Sequence, residues 1–600
     1  MRRLALLLIF IACKQTTPDR ATPTTPPPPP PPVAAVADAA VPAPVAVPDA
    51  GPPPPKFRTD KSDYDIDPAL AGTSKTYMVA AEDAYAANVG KDVLAKGGNA
   101  ADAAVATAFT LAVTRPTAGN VAGGGFAMVR TGKGKGIALD FREVAPAAAT
   151  SDMFDRAEPK ASLIGMKAVG VPGSVAGLWE LHKKYGKKKW ADLLAPAIKY
   201  AKDGYQVTPY LTEAIKRRQK FAPFSGALAE MFVPGGKPLE PGTLAKNPEL
   251  GVVLERIAAK GPDGFYKGET AAALADAMKK DGGLITAKDL ASYKAIWREP
   301  IRFTYRGKKF MTMPPPSSGG VVLAMTANML RSTDLGKLGW HSTEHVRRIV
   351  EVWRRGYAIR NEVLGDPKYV KNMPIAKLTS QKEADRLAAT ITDRATPSKD
   401  VPALIEGKHT THFCVVDNKG MAVAITTTLN TSFGNGVMVS GMLLNNEMDD
   451  FATKPGQPNV FGLVQGAANK IEPGKRMLSS MSPTIVEDEK GELFMVVGAQ
   501  GGPRIITAVW QAMSNVIDFG MAADAAIMAP RFHHQHLPDE IVFEDESITR
   551  EVDEALRGLG YITTWNKPDR VLGSANMIVR TKTGWAGAAD HRGSGAAVGD

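Results

Sequence analysis

Two threonines head a strand-like run at His409-Thr410-Thr411-His412-Phe413. A threonine hydroxyl is a poor nucleophile until a base takes its proton. A free α-amine on the same residue, with a pKa of about 8, lies within reach of that hydroxyl. A threonine exposed at a chain start by cleavage of the bond before it would therefore carry nucleophile and base together. By itself Thr410-Thr411 reads as ordinary β-propensity, and its weight comes from the segments around it. Asp140-Phe141-Arg142-Glu143 offers a guanidinium, whose fork of donors matches a carboxylate. Downstream come Thr428-Leu429-Asn430-Thr431, Leu443-Leu444-Asn445-Asn446-Glu447-Met448-Asp449-Asp450-Phe451, Leu478-Ser479-Ser480-Met481-Ser482-Pro483 and Gly498-Ala499-Gln500-Gly501-Gly502. Each has a plain reading: a packed strand hydroxyl, a polar turn, a helix cap or calcium-like acidic cluster, a Ser-Ser loop, a tight turn before a helix. The offset of Glu447 and Asp450 beside Leu443-Leu444 fits a pocket wall better than a metal loop.

Taken in this order, with Pro530-Arg531-Phe532-His533-His534-Gln535, the segments resemble the γ-glutamyltranspeptidase family of N-terminal nucleophile hydrolases from about residue 75 onward. The resemblance implies self-cleavage between His409 and Thr410, giving a large chain ending at His409 and a small one starting at Thr410. It implies that Thr428 hydrogen-bonds to the nucleophile, and that Ser479 and Ser480 join Arg142 around a substrate α-carboxylate. Asn430, Glu447 and Asp450 then match the positions that hold an α-ammonium. Gly501-Gly502 matches the oxyanion hole, where glycines let backbone N–H groups approach a developing charge. The pattern departs in three places. The chain is about two residues shorter around Val439-Ser440-Gly441-Met442, Phe461 replaces a lid tyrosine, and Asn120-Val121-Ala122 precedes Gly123-Gly124-Gly125 where relatives carry more glycine.

The elements that must position these groups are legible in outline. Gly97-Gly98-Asn99-Ala100 opens a small-residue helix over 101–113, and the glycine run leads into a strand over 126–130. Because that run precedes a strand rather than a helix, a dinucleotide-binding reading is rejected. Val171-Pro172-Gly173 starts a region of helical patterns reaching residue 300. Strands are expected over 411–417 and 422–428, joined by a turn at Asp417-Asn418-Lys419-Gly420, and again over 483–487 and 493–498 before a helix over 505–519. Helices and paired strands in both parts of the chain indicate a layered α/β body. The resemblance specifies it as a four-layer αββα sandwich built jointly by both cleavage products.

The chain has 600 residues, 44% hydrophobic and 22% charged, enough for a sizeable core. Its net charge of +11 is spread along the sequence. The densest cluster, at Lys183-Lys184 and Lys187-Lys188-Lys189, lacks any nucleic-acid motif, so no nucleic-acid partner is expected. With only Cys13 and Cys414, a disulfide framework and a cysteine-based zinc site are excluded. Cys414 reads as a small core residue. His533, His534 and His536 lack the wider ligand set a zinc site needs. No metal or organic cofactor is implied.

Met1-Arg2-Arg3 and the apolar run to Ala12 read as an export signal. Ala12-Cys13 resembles a lipoprotein cleavage site, which makes Cys13 a lipid-attachment candidate and residues 1–13 the signal. Residues 21–55 hold 15 of the 45 prolines. That composition builds no core and favours an extended spacer, here 14–63. Residues 64–409 form the large-chain portion and 410–600 the small-chain portion. The expected activity is γ-glutamyl transfer from glutathione or a related donor to water or an amino acid or peptide. The expected location is the bacterial periplasm or envelope, with the membrane reached only through the lipid. A poly-γ-glutamate enzyme of the same family is the alternative, and an uncleaved binding protein the third reading.

Overall fold

The computed structural model describes residues 56–59, 66–158, 160–398, 410–453, 456–460, 462–566 and 571–600. Cys13, the 1–13 signal, most of the 14–63 spacer, His409 and Phe461 lie outside the described residues. Two seven-stranded sheets dominate. The first runs, in order, through Ala596–Gly599, Met78–Ala81, Thr410–Val416, Ala422–Thr428, Gly124–Arg130, Gly136–Phe141 and Ile296–Arg298. The second runs through Ala71–Ser74, Gly584–Ala589, Ser574–Thr581, Leu493–Gln500, Thr484–Glu487, Lys308–Thr312 and Ile301–Tyr305. Each neighbouring pair in both sheets is antiparallel. Segments before and after Thr410 contribute to each sheet, so neither portion could close its sheets alone.

Strand alternation explains the layering, since successive side chains point to opposite faces. Val79, Ala81, Phe413, Val415, Val423 and Ile425 face one core, shared with the helices Ala84–Ala95, Ala100–Thr114, Ser174–Tyr185 and Trp190–Asp203. Their neighbours Met78, Ala80, Cys414, Val416, Ala422 and Ala424 face the other, where they join Ile485, Met495, Val497 and Met577 of the second sheet. The helices Gly319–Met329 and Arg504–Ile517 pack on that sheet's far side, and Thr343–Val363 packs on Gly319–Met329. The result is the αββα sandwich. The alanine-rich helix spans Ala100–Thr114, is buried at every residue and starts in a capping box of Asn99 and Asp102. Upstream, Lys56–Thr59 already touch this body: Arg58 N donates to Ile548 O at 3.0 Å and Phe57 meets Trp565 edge-on.

The Asp417–Gly420 turn forms as expected. The Asp417 carboxylate accepts from Lys419 N and Met421 N (2.8 and 3.0 Å), and Gly420 takes φ 74°. It sets the register that places Thr410 directly opposite Thr428. No helix among the described residues is long and apolar enough to cross a membrane.

Candidate active site

The head of the Thr410–Val416 strand opens on a pocket. Around it the fold assembles Arg142, Thr428, Asn430, Glu447, Asp450, Ser479, Ser480 and Gly502, residues scattered over 361 positions of sequence. Thr410, only 5% exposed, donates from Oγ1 to Thr428 Oγ1 at 3.4 Å. The same Thr428 oxygen accepts from Asn430 N at 2.7 Å, a contact that Asn430 reaches through a left-handed φ of 74°.

The glycine run is explained by the approach of this strand pair. A Cβ on Gly123 would stand 2.2 Å from Thr428 O, and one on Gly124 would stand 2.5 Å from Glu143 Oε2. Asn120 fastens the loop by donating from Nδ2 to Thr428 O (2.9 Å) and Thr427 Oγ1 (3.1 Å), and by accepting from Gly123 N (3.1 Å). An asparagine at the departure Asn120-Val121-Ala122 thus holds the threonine strand.

The acidic wall is braced from its polar turn. Asn445 bridges Ala122 O, Gly170 O and Glu447 N at 2.8–3.0 Å. Asn446 O accepts from Asn430 Nδ2 at 2.9 Å, which ties Asn430 to the wall. Glu447 and Asp450 lie in one turn of 3₁₀ helix, Glu447–Asp450, and both carboxylates pair with Arg142 through its two terminal nitrogens. The expectation kept these roles apart, with Arg142 for a carboxylate and the two acids for an ammonium. In the structure the three are partners of one another. Glu143, quoted in the sequence motif without a role, stands 3.6 Å from Arg142 Nη1.

Burial dominates the protonation of this group. It raises Glu143 to about 7 against the pull of Arg142, raises Glu447 well above the ordinary carboxyl range, and raises Asp450. Burial also works against the Arg142 charge, but Glu447, Asp450 and Glu143 overcome it and hold the guanidinium above its usual range.

In the same lining, Ser480 Oγ accepts from Arg360 Nη2 at 3.3 Å, and Ser479 Oγ accepts from Met481 N at 3.2 Å. Ser318 N and Oγ both donate to Ser479 O (2.8 and 2.7 Å), so the helix start at Gly319 fixes the serine pair. Gly501 and Gly502 adopt φ 130° and 58° and lead through Pro503 into the helix Arg504–Ile517. Their turn and their closeness to the pocket coexist, and Gly502 is in the lining.

Sequence reasoning missed Arg360, Leu463, Gln465 and Pro503, all of which line the pocket. Gln465 donates to Asp450 O at 3.1 Å. The tempting histidines bond elsewhere: His533 to Thr507 Oγ1 and Gln535 Oε1 (2.8 and 2.9 Å), His534 to Asp539 (3.3 Å). Among the described residues, no group of three or more His, Cys, Asp or Glu is placed to hold a metal ion. Cys414 is buried.

Comparison with known proteins identifies the family. Residues 86–600 match the family model described as Gamma-glutamyltranspeptidase. A glutathione hydrolase proenzyme of Escherichia coli is 47% identical over 483 residues, covering 78% of this chain and 83% of its own. One from Pseudomonas aeruginosa is 45% identical over 517 residues, covering 84% and 91%. Among solved structures, a cephalosporin acylase from Bacillus halodurans superposes with a TM-score of 0.79 at 27% identity, covering 91% of this chain and 99% of its own. A threonine-headed strand in an αββα sandwich, facing paired acids, an arginine and a serine pair, is thus set in a sequence whose relatives share it over most of its length: the chain belongs to the γ-glutamyltranspeptidase family.

Proposed function

We propose that this chain is a self-processing γ-glutamyl hydrolase and transferase in which Thr410, once the bond to His409 is cut, is the nucleophile. The observation that carries the reading is the direction of the pocket. The Thr410 hydroxyl, held by Thr428, faces a pocket lined by Arg142, Glu447 and Asp450, which pair with one another, and by Ser479 and Ser480. A γ-glutamyl group carries a carboxylate and an ammonium on one carbon, three carbons from the scissile carbonyl. Acids and cations clustered at the far end of the pocket suit that group. They suit a free terminal γ-glutamyl better than an internal residue of a polymer, which has no ammonium.

The chemistry follows from the groups present. The Thr410 α-amine takes the hydroxyl proton as Oγ1 attacks the γ-carbonyl carbon. Negative charge develops on the carbonyl oxygen, where the N–H groups of Gly501 and Gly502 would stabilise it. Collapse breaks the amide bond. The leaving amine, such as that of cysteinylglycine from glutathione, departs with the proton held by the α-amine, and a γ-glutamyl ester remains on Thr410. Water or the amine of an amino acid or peptide then attacks the ester by the reverse sequence, restoring the free hydroxyl. The large and small chains stay associated because they share both sheets. Residues 1–63, read as signal, Cys13 lipid site and spacer, would tether the body to the bacterial envelope.

Expression without residues 1–55 tests this. The protein should run as two chains on a denaturing gel, with the smaller one beginning at Thr410 and turnover of a γ-glutamyl anilide. Thr410→Ala should remain one chain, with activity down by about 10⁴-fold or more. A single wild-type chain, a different start for the small chain, or an active Thr410→Ala variant would each reject the mechanism.

A further inference from the structure

Behind the Gly501-Gly502 turn lies a buried carboxylate that the proposed chemistry does not use. Glu82 follows the strand Met78–Ala81 and is closed off from solvent. Its Oε2 accepts from Arg115 Nη2 (2.5 Å) and from Gln500 Nε2 (2.8 Å), while Oε1 has no hydrogen-bond partner among the described residues. Arg115, just past the end of the helix Ala100–Thr114, is itself fixed. Its Nη1 donates to Glu82 O (2.7 Å) and Ser594 Oγ (3.2 Å), and its guanidinium lies 4.1 Å from the centre of the Tyr210 ring. Gln500 is thus offered an acceptor whose place is set from several elements at once.

Gln500 is the last residue of the strand Leu493–Gln500 and the residue before Gly501. Downstream, the turn is tied to a helix start: Arg504 N donates to Gly501 O (3.2 Å) and Ile505 N to Gly502 O (3.1 Å). Two adjacent glycines have no side chains to settle their orientation, and their backbone rotates at little cost. Where their N–H groups point therefore depends on what grips the turn from each side. Upstream, Gln500 pairs with Ser574 across the sheet, and Gly501 packs so close to Gly573 that a Cβ on it would stand 2.8 Å from the Gly573 Cα. The remaining grip is the Gln500 amide on Glu82. A buried Arg115–Glu82 pair alone would be a feature of the core. The amide bound to the same oxygen connects that pair to the turn, through a hydrogen bond strengthened by the acceptor's charge.

We propose that Gln500 and Glu82 are positioning residues for the oxyanion turn. The Arg115–Glu82 pair holds the Gln500 amide, and Gln500 aims the Gly501 and Gly502 N–H groups at the oxygen on which negative charge develops. Neither side chain lines the Thr410 pocket, so their effect falls on the transition state and not on donor binding. The assignment rests on the γ-glutamyl reading above and adds to it what orients the oxyanion donors.

Two ligands separate this role from a structural one. Glutamate fills the pocket without loading the turn. Its analogue with a boronic acid in place of the γ-carboxyl group loads it: the Thr410 oxygen adds to boron as its proton passes to the α-amine, leaving a tetrahedral anion. Gln500→Leu should lower kcat and kcat/KM on γ-glutamyl anilide together by about 10- to 100-fold, with KM changed by no more than about threefold. It should weaken the boronic analogue by about the same factor and leave inhibition by glutamate within about threefold. Glu82→Gln keeps an oxygen to accept from Gln500 but gives up the charge, and should lose less than Gln500→Leu. Equal weakening of both ligands by Gln500→Leu would overturn the proposal, because a general defect of the pocket does not sense the tetrahedral anion. Unchanged kinetics would overturn it as well. If neither variant matures into two chains, a crystal structure of wild-type enzyme with the boronic analogue decides. A boron-bound oxygen on the Gly501 and Gly502 N–H groups, with the Gln500–Glu82 bond intact, supports the assignment. A boron-bound oxygen turned away from them, or a Gln500 amide released from Glu82, overturns it. Failure of wild type to turn over γ-glutamyl anilide at all would instead count against the function proposed above.

Discussion

Two clusters of buried arginines and acids use the same residue types for opposite ends. In one, Arg531 and Arg592 meet Asp590 and Glu544, two cations against two anions. Asp590 accepts from Arg531, Arg592 and Ala575 N at 2.8–2.9 Å, and Glu544 accepts from Arg592 Nε, Arg531 N and Leu572 N, each at 2.9 Å. Burial opposes both charges, yet the guanidiniums outweigh it and push both carboxyls below their ordinary range. In the other, Arg142 pairs with Glu447 and Asp450 and stands near Glu143, Arg360 adds its pull only at Asp450, and burial wins at every acid. Both Glu143 oxygens and Glu447 Oε2 are buried with no hydrogen-bond partner among the described residues. Equal burial therefore gives a closed structural knot where charges balance, and, where they do not, a surplus of carboxyl groups beside the pocket that burial keeps short of full ionisation. A substrate ammonium would favour the charged forms of these carboxyl groups.

Breaking the knot should be the larger blow to stability. Asp590→Asn leaves two buried guanidiniums sharing one carboxylate and should cost about 3–5 kcal/mol, read as a lower denaturant midpoint. Activity per folded molecule should survive. In the pocket the order reverses. Asp450→Asn removes an acid whose desolvation already opposes its charge, and it leaves Arg142 with Glu447. Stability should stay within about 1 kcal/mol of wild type. By contrast, kcat/KM for γ-glutamyl anilide should fall by about 10- to 100-fold through the lost ammonium contact. If Asp450→Asn unfolds as readily as Asp590→Asn, the distinction between knot and pocket disappears.

Much of this was legible in the sequence, for identifiable reasons. The Thr410–Val416 and Ala422–Thr428 strands are rich in β-branched residues on both sides of an Asp-Asn-Lys-Gly turn, and both appear within a residue of expectation. The helix expected over 505–519 spans Arg504–Ile517, the shift falling where helix ends always blur. Motif order led to Arg142, Asn430, Glu447, Asp450 and the serines, and the fold gathers them. Arg360 was illegible because it shares an amphipathic helix with Arg347, Arg348, Arg354 and Arg355, and nothing local separates it from solvated or ion-paired arginines. Only the tertiary approach of Ser480 does so. The mutual pairing of Arg142 with Glu447 and Asp450 was hidden for a related reason. Sequence assigns each side chain to a ligand, and cannot say which side chains satisfy one another first.

The remaining test probes the imbalance itself, through pH. Glu143 faces Arg142, Asp140, Glu447 and Asp450, with Tyr266 and Tyr293 nearby, and both its oxygens lack hydrogen-bond partners among the described residues. Its pKa is raised to about 7 in the folded protein, against about 4.3 for an ordinary glutamate. Between those values the folded chain holds a proton that the unfolded chain has released. Stability must then fall as pH rises through this window and level off above it. Glu447 and Asp450 shift in the same direction, so removing Glu143 flattens only its own share of the slope. Glu143→Gln should reduce the wild-type loss of stability between pH 5 and 8 by about 2–3 kcal/mol. Urea titrations of both versions in the Thr410→Ala background, where the chain is expected to stay in one piece, would measure it. The knot makes the opposite demand: its depressed acids lose stability only as pH falls below the ordinary carboxyl range. Identical pH profiles with and without the Glu143→Gln substitution would mean that Arg142 keeps Glu143 ionised, and that the pocket is as balanced as the knot.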